Sequence, residues 1–356
     1  MIRYFFFTMN NLLILILSTL FTIPVIGQSQ SNLVEELNKI LLYEYDVEFE
    51  DKEGIWIGVI DEDSTFIFSI GNIELDSLSV FQLGSLSKVF THQLISELTQ
   101  KAGVSPDTSI TAFIELDESF ENITLNDLMS HQSGLPKHPY FMGRLNNNPN
   151  NPYSDYPDEI LLDEMNNYTR RYMKQIKKDH LYSHLNAALL GLIAQQIGSA
   201  DYCELIEDEF QDKFPSLQCS DTAPITYGYN NLGQLGKPWT FPGFASSEGL
   251  ASNLIDLISF VKSEMIKPQS GSEIIINKEL KFQAPWYVTS GEKKDLIYNF
   301  SGRTDIHSSY LCFNPNKKTG VVLLRNSGKG IQGIPHSLLH LISYGKKKNK
   351  KYNGKK

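Results

Sequence analysis

The chain has 356 residues, 41% hydrophobic and 21% charged, with 24 Gly and 15 Pro, a globular balance that excludes fibrous, disordered and polytopic membrane classes. Three Cys exclude a disulfide-dense miniature scaffold and a four-thiolate zinc site. The net charge of −9 includes seven lysines from Lys346 to Lys356 and Arg3, and without those eight cations the body carries about −17. Such a body repels phosphate backbones, so no nucleic-acid partner is expected.

Residues 1–27 carry Arg3, then an apolar stretch from Leu12 to Ile26, with Val25 and Gly27 at the small-residue positions before Gln28. This order of regions reads as a secretory signal peptide, and the apolar run is short for a membrane span. The expectation is export, to the periplasm or the medium, with no stable membrane anchor. No Cys follows the run, so a lipoprotein anchor is not supported. In an oxidising compartment Cys203 and Cys219 could pair, whereas Cys312, in an apolar strand, reads as a buried thiol.

Residues 28–345 read as one domain, followed by a Lys-rich tail at 346–356. Leu33, Val34, Leu37, Ile40 and Leu41 fall at helical spacing. Gly54 to Ile60 and Thr65 to Ile70 are β-rich runs around an acidic turn, a hairpin. After Gly84, the apolar positions Val89, Leu94, Ile95 and Leu98 switch to helical spacing. Thr124 and Asp127 form a capping box opening a short helix that runs to His131. Pro136 to Pro157 reads as a long loop. Leu185 to Ile197 predicts a helix closed by Gly198, and Asn253 to Met265 another. Strands then return at Phe282–Val288, Leu296–Ser301, Ser308–Phe313 and Gly320–Arg325, before a terminal helix from Pro335. Strands at both ends and helices between predict an α+β fold. Its antiparallel sheet would be built from both chain ends and flanked by helices, with a helical lobe inserted at about 105–240. The cleft between lobe and sheet is the expected site.

Several literal motifs fail on context. Gly328-x-Gly330-x-x-Gly333 lacks the second strand and acidic residue of a dinucleotide site, so it reads as a loop. Neither H-E-x-x-H nor G-x-S-x-G occurs. Neither a cofactor nor a metal is implied. Ser85-Leu86-Ser87-Lys88 is different. Placed at a helix start after a strand and Gly84, Ser85 gains from the positive helix end, and Lys88 falls on the same face three residues on. A serine hydroxyl needs a base, and a lysine serves only if its pKa is lowered. Ser259-x-x-Lys262 and Ser343-x-x-Lys346 lack that context. His131 reads as a buried hydrogen-bonding histidine, and His138 and His307 as surface residues.

Phe81 to Thr91, Leu128-Met129-Ser130-His131-Gln132-Ser133-Gly134-Leu135-Pro136, Tyr182-Ser183-His184 and Gly249-Leu250-Ala251-Ser252 with Asp256-Leu257 stand in one order along the chain. Together they resemble the penicillin-recognising serine hydrolases: class C β-lactamases, D-alanyl-D-alanine carboxypeptidases and related esterases. The third stretch resembles the family's Y-S-N and the fourth its "GGL.ST" segment. The strands Ser308–Pro315 and Gly320–Asn326 resemble the family's last strands. The resemblance implies that Ser85 attacks an acyl carbonyl to form an acyl-enzyme, with Lys88 and Tyr182 sharing the proton work. Lys88 would stand near Tyr182, since a cation favours phenolate. Tyr229-x-Asn231 is a literal rival for the tyrosine motif, in a Gly-rich loop without a following apolar helix.

Two positions depart from the family. His184 stands where Y-x-N has Asn. Phe300-Ser301-Gly302 stands where the cleft strand has K-T-G or H-T-G; the literal Lys318-Thr319-Gly320 falls in a turn after the next strand. Substrate would be bound by His184, Ser301, Gly302 and Arg303, whose backbone N–H would be the second oxyanion donor. The expected function is an exported serine hydrolase acting on a small-molecule or peptide-like ester or amide. Efficient β-lactam hydrolysis is less expected, because the altered positions orient the acyl group. The alternative is a degenerate, non-hydrolytic protein that binds penicillin or a peptidoglycan-type peptide.

Overall fold

Strand β1 (Gly54–Asp61) is buried over seven of its eight residues, the pattern of a central strand covered on both faces. It pairs antiparallel with β2 (Ser64–Gly71) on one side and with the last strand, β11 (Thr319–Arg325), on the other. Alternation along β1 divides its side chains between two cores. Ile55, Ile57 and Val59 pack with Leu338 and Leu339 of the terminal helix. Trp56 and Ile60 join the larger core on the opposite face.

The computed structural model describes residues 35, 36, 39, 40 and 47–345, except 48, 50, 73–75, 141, 143–147, 149, 150, 170–178, 268–272 and 332. The leader at 1–27, most of the helix expected around 33–41, parts of the 136–157 loop and the tail at 346–356 lie outside the described residues.

A three-residue turn, Gly84–Leu86, follows the short strand β3 (Phe81–Gln82) and leads into α1 (Ser87–Ala102). Ser85 therefore sits one turn ahead of α1 rather than within its first turn. Next come α2 (Leu125–Met129), α3 (Asp158–Glu164), α4 (His184–Gly198) and α5 (Tyr202–Phe210). Then follow β4 (Gln218–Cys219), α6 (Ala245–Glu248), β5 (Leu250–Ser252) and α7 (Leu254–Ile266). Strands β6 (Ile274–Ile275), β7 (Leu280–Gln283), β8 (Trp286–Ser290), β9 (Leu296–Arg303) and β10 (Ser308–Asn314) lead to β11, and α8 (Ile334–Tyr344) ends the fold. The main sheet runs β2-β1-β11-β10-β9-β8-β7-β6, and a second sheet runs β3-β5-β4. Both ends of the chain thus build the antiparallel sheet, as the element order predicts.

The capping box is present in both directions: Thr124 Oγ1 accepts from the Asp127 N–H at 3.1 Å, and Asp127 Oδ2 accepts from the Thr124 N–H at 3.0 Å. Cys203 and Cys219 form a disulfide, and Cys312 is a buried free thiol.

Four expectations are corrected. The run Phe282–Val288 is two strands, because it breaks at Ala284–Pro285, where proline has no N–H to continue a ladder. Helix α2 ends at Met129 instead of reaching His131, whose φ of 56° is not helical. Gly198 is the last residue of α4, and Ser199 takes the left-handed cap at φ 54°. A Cβ on Gly198 would lie 2.5 Å from Leu205, so that glycine serves the packing of α5. His307 is fully buried. Its Nδ1 accepts from the Gln82 N–H at 3.0 Å, and its ring packs on Phe81; burial lowers its pKa to about 3.

Candidate active site

The second sheet brings the nucleophile turn and a distant segment together. Phe81 and Gln82 of β3 pair with Ser252 and Ala251 of β5, and the Leu83 N–H donates to Leu250 O at 2.8 Å. Ser87 Oγ accepts from the Leu250 N–H at 3.0 Å. Ser85, two residues before Ser87, and Glu248, two residues before Leu250, are therefore fixed by one short ladder. Ser85 is half-buried at the floor of a cleft of about 580 Å³.

Strand β9 forms the opposite wall. Its pairing with β8 stops at Asn299, while its pairing with β10 continues to Arg303. Residues 300–303 are instead faced by the Gly84–Leu86 turn. The approach leaves no room for side chains: a Cβ on Gly302 would lie 1.8 Å from Leu83 O, and one on Gly84 would lie 2.6 Å from the Arg303 nitrogen. Gly84 also has φ 55°, a left-handed conformation that favours glycine. The Arg303 backbone nitrogen thus stands beside the nucleophile turn, where the sequence expects an oxyanion donor. Ser301, Gly302 and Arg303 all line the cleft.

The third wall is the Tyr182–His184 segment. His131 is buried and holds it: its carbonyl accepts from the Leu181 N–H at 2.7 Å, and its Nδ1 accepts from the Ser183 N–H at 3.2 Å. Burial pushes His131 well below its usual range, so it is neutral and free to accept. Ser183 caps α4, and its Oγ donates to Pro136 O at 2.6 Å. His184 opens the helix, with its N–H bonded to Lys137 O at 2.9 Å.

Four side chains converge at the floor. The Ser85 hydroxyl donates to Glu248 Oε1 at 2.7 Å, and Lys88 Nζ lies 3.4 Å from Ser85 Oγ. Lys88 Nζ donates to the same Glu248 oxygen at 2.6 Å and to Ser247 O at 2.9 Å. His184 Nδ1 meets that oxygen at 2.5 Å. Tyr182 lines the same cleft as Ser85, and Lys88 Nζ stands 5.2 Å from the Tyr182 ring centre. His138, an exposed loop residue as expected, nevertheless stacks on His184 with ring centres 4.5 Å apart.

Burial alone would raise the Glu248 carboxyl, but Lys88 and His184, through charge and hydrogen bonds, bring it down to about 2. Burial pulls Lys88 down from the usual ammonium range, and Glu248 at 2.6 Å opposes that pull. The ion pair leaves neither buried charge alone, and it is the state of the resting site. Burial and the Lys88 charge lower His184, so its ring is neutral and its Nδ1–H donates a hydrogen bond to the Glu248 carboxylate. Tyr182 is raised by burial and by the Glu248 charge. The sequence expectation that Lys88 favours a phenolate is corrected here: the carboxylate beside Lys88 cancels that bias, and Tyr182 stays a phenol.

Every expected site residue reaches the cleft or its floor. Glu248 is the one that sequence reasoning missed. Its signal was present: in the "GGL.ST" pattern the first glycine falls at position 248, where this chain has a carboxylate. The rival Tyr229 lies elsewhere, with its N–H on Asn326 O, although Asn231 lines the cleft mouth. Lys318 sits in the β10–β11 turn, its carbonyl accepting from the Glu62 N–H. Among the described residues, no group of three or more His, Cys, Asp or Glu side chains is placed to hold a metal ion.

The family model described as "Beta-lactamase" matches residues 51–335. The protein named "Protein flp" from Staphylococcus aureus (strain MW2) is 23% identical over 291 residues, covering 73% of this chain and 55% of that protein. The chain thus spans about half the length of the curated relatives it matches. A solved class C β-lactamase superposes with a TM-score of 0.70 at 18% identity, covering 89% of this chain and 97% of that one. A β-lactamase/D-alanine carboxypeptidase from Pseudomonas syringae gives 0.71 at 16% identity, covering 88% and 98%. An octameric penicillin-binding protein homologue from Pyrococcus abyssi gives 0.69 at 20% identity, covering 89% and 76%. These likenesses establish the fold: an antiparallel sheet with flanking helices, of the β-lactamase/transpeptidase type.

Proposed function

The chain belongs to the β-lactamase family, and from that premise we propose that it is an exported serine hydrolase cleaving an ester or amide through an acyl-enzyme on Ser85. The observation that carries this reading is the Ser85 hydroxyl itself. It stands at the floor of an open cleft, in contact with Lys88 and Glu248 at once, with Tyr182 lining the same cleft. A serine with only a structural role needs one partner, whereas a nucleophile needs an acceptor for its proton and a donor for the leaving group.

The substrate class is a small or peptide-like acyl compound. Charged lining at Lys137, Arg303 and Asp305, with Tyr153, Trp239 and Tyr287, suits an amphipathic ligand. Nucleic acid does not fit the acidic body. Export is supported by the leader and by the Cys203–Cys219 disulfide, which belongs to an oxidising compartment. No described helix is long and apolar enough to cross a membrane.

A fluorophosphonate or fluorescent penicillin probe tests the reading. Wild type is expected to be labelled and Ser85→Ala not. A folded wild type that takes neither label would instead be a binding protein for such a ligand, a role that Phe300 and His184, in place of the family's polar side chains, would suit. Mass spectrometry of the exported chain should give an N-terminus near Gln28.

A further inference from the structure

Resting on the serine-hydrolase reading, we propose that Glu248 is the catalytic base that takes the Ser85 proton. The hydroxyl hydrogen can travel only to an acceptor. Lys88, paired with Glu248, is an ammonium with no lone pair to offer. Tyr182, in the same cleft, is kept a phenol by burial and by the Glu248 charge. Among the described residues, that leaves the Glu248 carboxylate as the acceptor touching Ser85 Oγ, at 2.7 Å. The carboxylate occupies a position that the resembled sequence pattern gives to glycine. Because the side chain sits at the junction of α6 and β5, the ladder that fixes Ser85 fixes it as well.

The step balances within these residues. Ser85 Oγ forms a bond to the acyl carbon as its O–H bond breaks, and the proton passes to Glu248 Oε1. The carbonyl π pair moves to oxygen beside the Ser85 and Arg303 backbone nitrogens. When that pair returns, the bond to the leaving atom breaks, and the leaving atom takes the phenolic proton of Tyr182. Lys88 reprotonates the phenolate, and Glu248 returns its proton to Lys88 across their 2.6 Å contact. His184 holds the base in place through its Nδ1–H. The groups facing Glu248 are Lys88 from α1, His184 from α4, Tyr182 just before α4, and His138 and Tyr153 from the loop between α2 and α3.

A base already ionised in mildly acidic solution gives a distinctive pH profile. Acylation by a p-nitrophenyl ester should proceed at a level kcat/KM from about pH 5 to about pH 8, because no proton must be lost first. A lysine base would instead give a rate rising about tenfold per pH unit up to the lysine's own pKa and level only above it. Glu248→Gln, which keeps the shape but takes no proton, should lose about a hundredfold or more in acylation, with Ser85 still present and the fold intact by circular dichroism. The wild-type profile needs no variant, so it decides even if Glu248→Gln folds poorly. A rising wild-type profile, or a folded Glu248→Gln or Glu248→Gly acylating as fast as or faster than wild type, overturns the proposal and returns the base to Lys88. Those outcomes leave the serine-hydrolase reading standing. Only a wild type in which Ser85 takes no acyl group under any condition removes both.

Discussion

Glu53 and Glu248 are both buried carboxylates gripped by cations, yet their surroundings differ in kind. Glu53, just ahead of β1, accepts from Arg325 through Nε at 3.0 Å and through Nη2 at 2.8 Å, and from Lys329 at 3.3 Å. Beside it, Asn326 Oδ1 accepts from the Gly54 N–H at 2.8 Å. This cluster ties the start of the first strand to the end of the last. Arginine cannot give up its proton, so Arg325, which holds Glu53 through two nitrogens, fixes the carboxylate's charge whatever Lys329 does. Glu248 is held by a serine, a lysine and a histidine, each able to change its proton, and it faces the cleft. A buried charge with permanent partners is a rivet. One whose partners can exchange protons is chemical machinery, and its stability is spent on holding a reactive geometry.

The largest effects expected from breaking the contrast lie on the Glu248 side. Ser85→Ala, Lys88→Ala and Tyr182→Phe should each lower turnover by roughly three orders of magnitude, and double variants should be little worse, because the three act as one unit. Single-turnover rates check this. Clearly multiplicative losses would make one of the three merely structural. On the other side, Glu53→Gln takes from buried Arg325 the carboxylate charge that it bonds through two nitrogens and should cost about 3–5 kcal/mol of stability. The folded fraction should keep its wild-type kcat, as denaturant unfolding and active-site titration together would reveal. A loss of kcat at full folding would mean that the two carboxylates are not separable.

The sequence made the Ser85 side of the cleft legible because its devices are local. The strand–Gly84–Ser85–helix order, the Thr124 capping box and the first hairpin each act over a few residues, and each is present in the fold. The departure at Glu248 from the glycine pattern was visible, but its meeting with Ser85 was illegible for the opposite reason. Glu248 lies 163 residues from Ser85, and long-range contacts such as the β3–β5 pairing, two residues long on β3, bring them together. His307 was misread likewise: an imidazole in a strand turn gives no sign that a backbone N–H from residue 82 will bond it. Burial of polar groups is decided by partners far along the chain.

A smaller effect probes what holds the helical side in place. The Cys203–Cys219 disulfide ties α5 to β4 and closes a loop with a sequence separation of 16. Replacing both cysteines by serine should cost about 3 kcal/mol. The loss should fall on thermal stability and leave the pH dependence of acylation unchanged, since the disulfide touches neither Ser85 nor Glu248. A changed profile would show that α5 helps set the cleft geometry.

The smallest effect expected concerns substrate charge, and it separates the catalytic floor from the β9 wall. In the family this sequence resembles, a lysine or histidine on that strand helps hold a substrate carboxylate. Here the position is Phe300, buried, with its ring 5.7 Å from that of Tyr287. Neighbouring Gly302 is pressed against Leu83 O, so no cation can be supplied from that side. Arg303 shares the alternate face with Ser301 and is exposed at the cleft rim. A water-screened guanidinium at a rim holds a carboxylate far less firmly than a buried one. A charged hydrogen bond is worth about 1.5–3 kcal/mol, or roughly ten- to hundredfold in preference. Its absence should leave matched substrates with a free carboxylate and with a neutral amide within about threefold in kcat/KM. Arg303→Ala should move that ratio little. An acid preference of tenfold or more that disappears in Arg303→Ala would make Arg303 the replacement anchor, and the β9 wall would then recognise charge as strongly as the floor does.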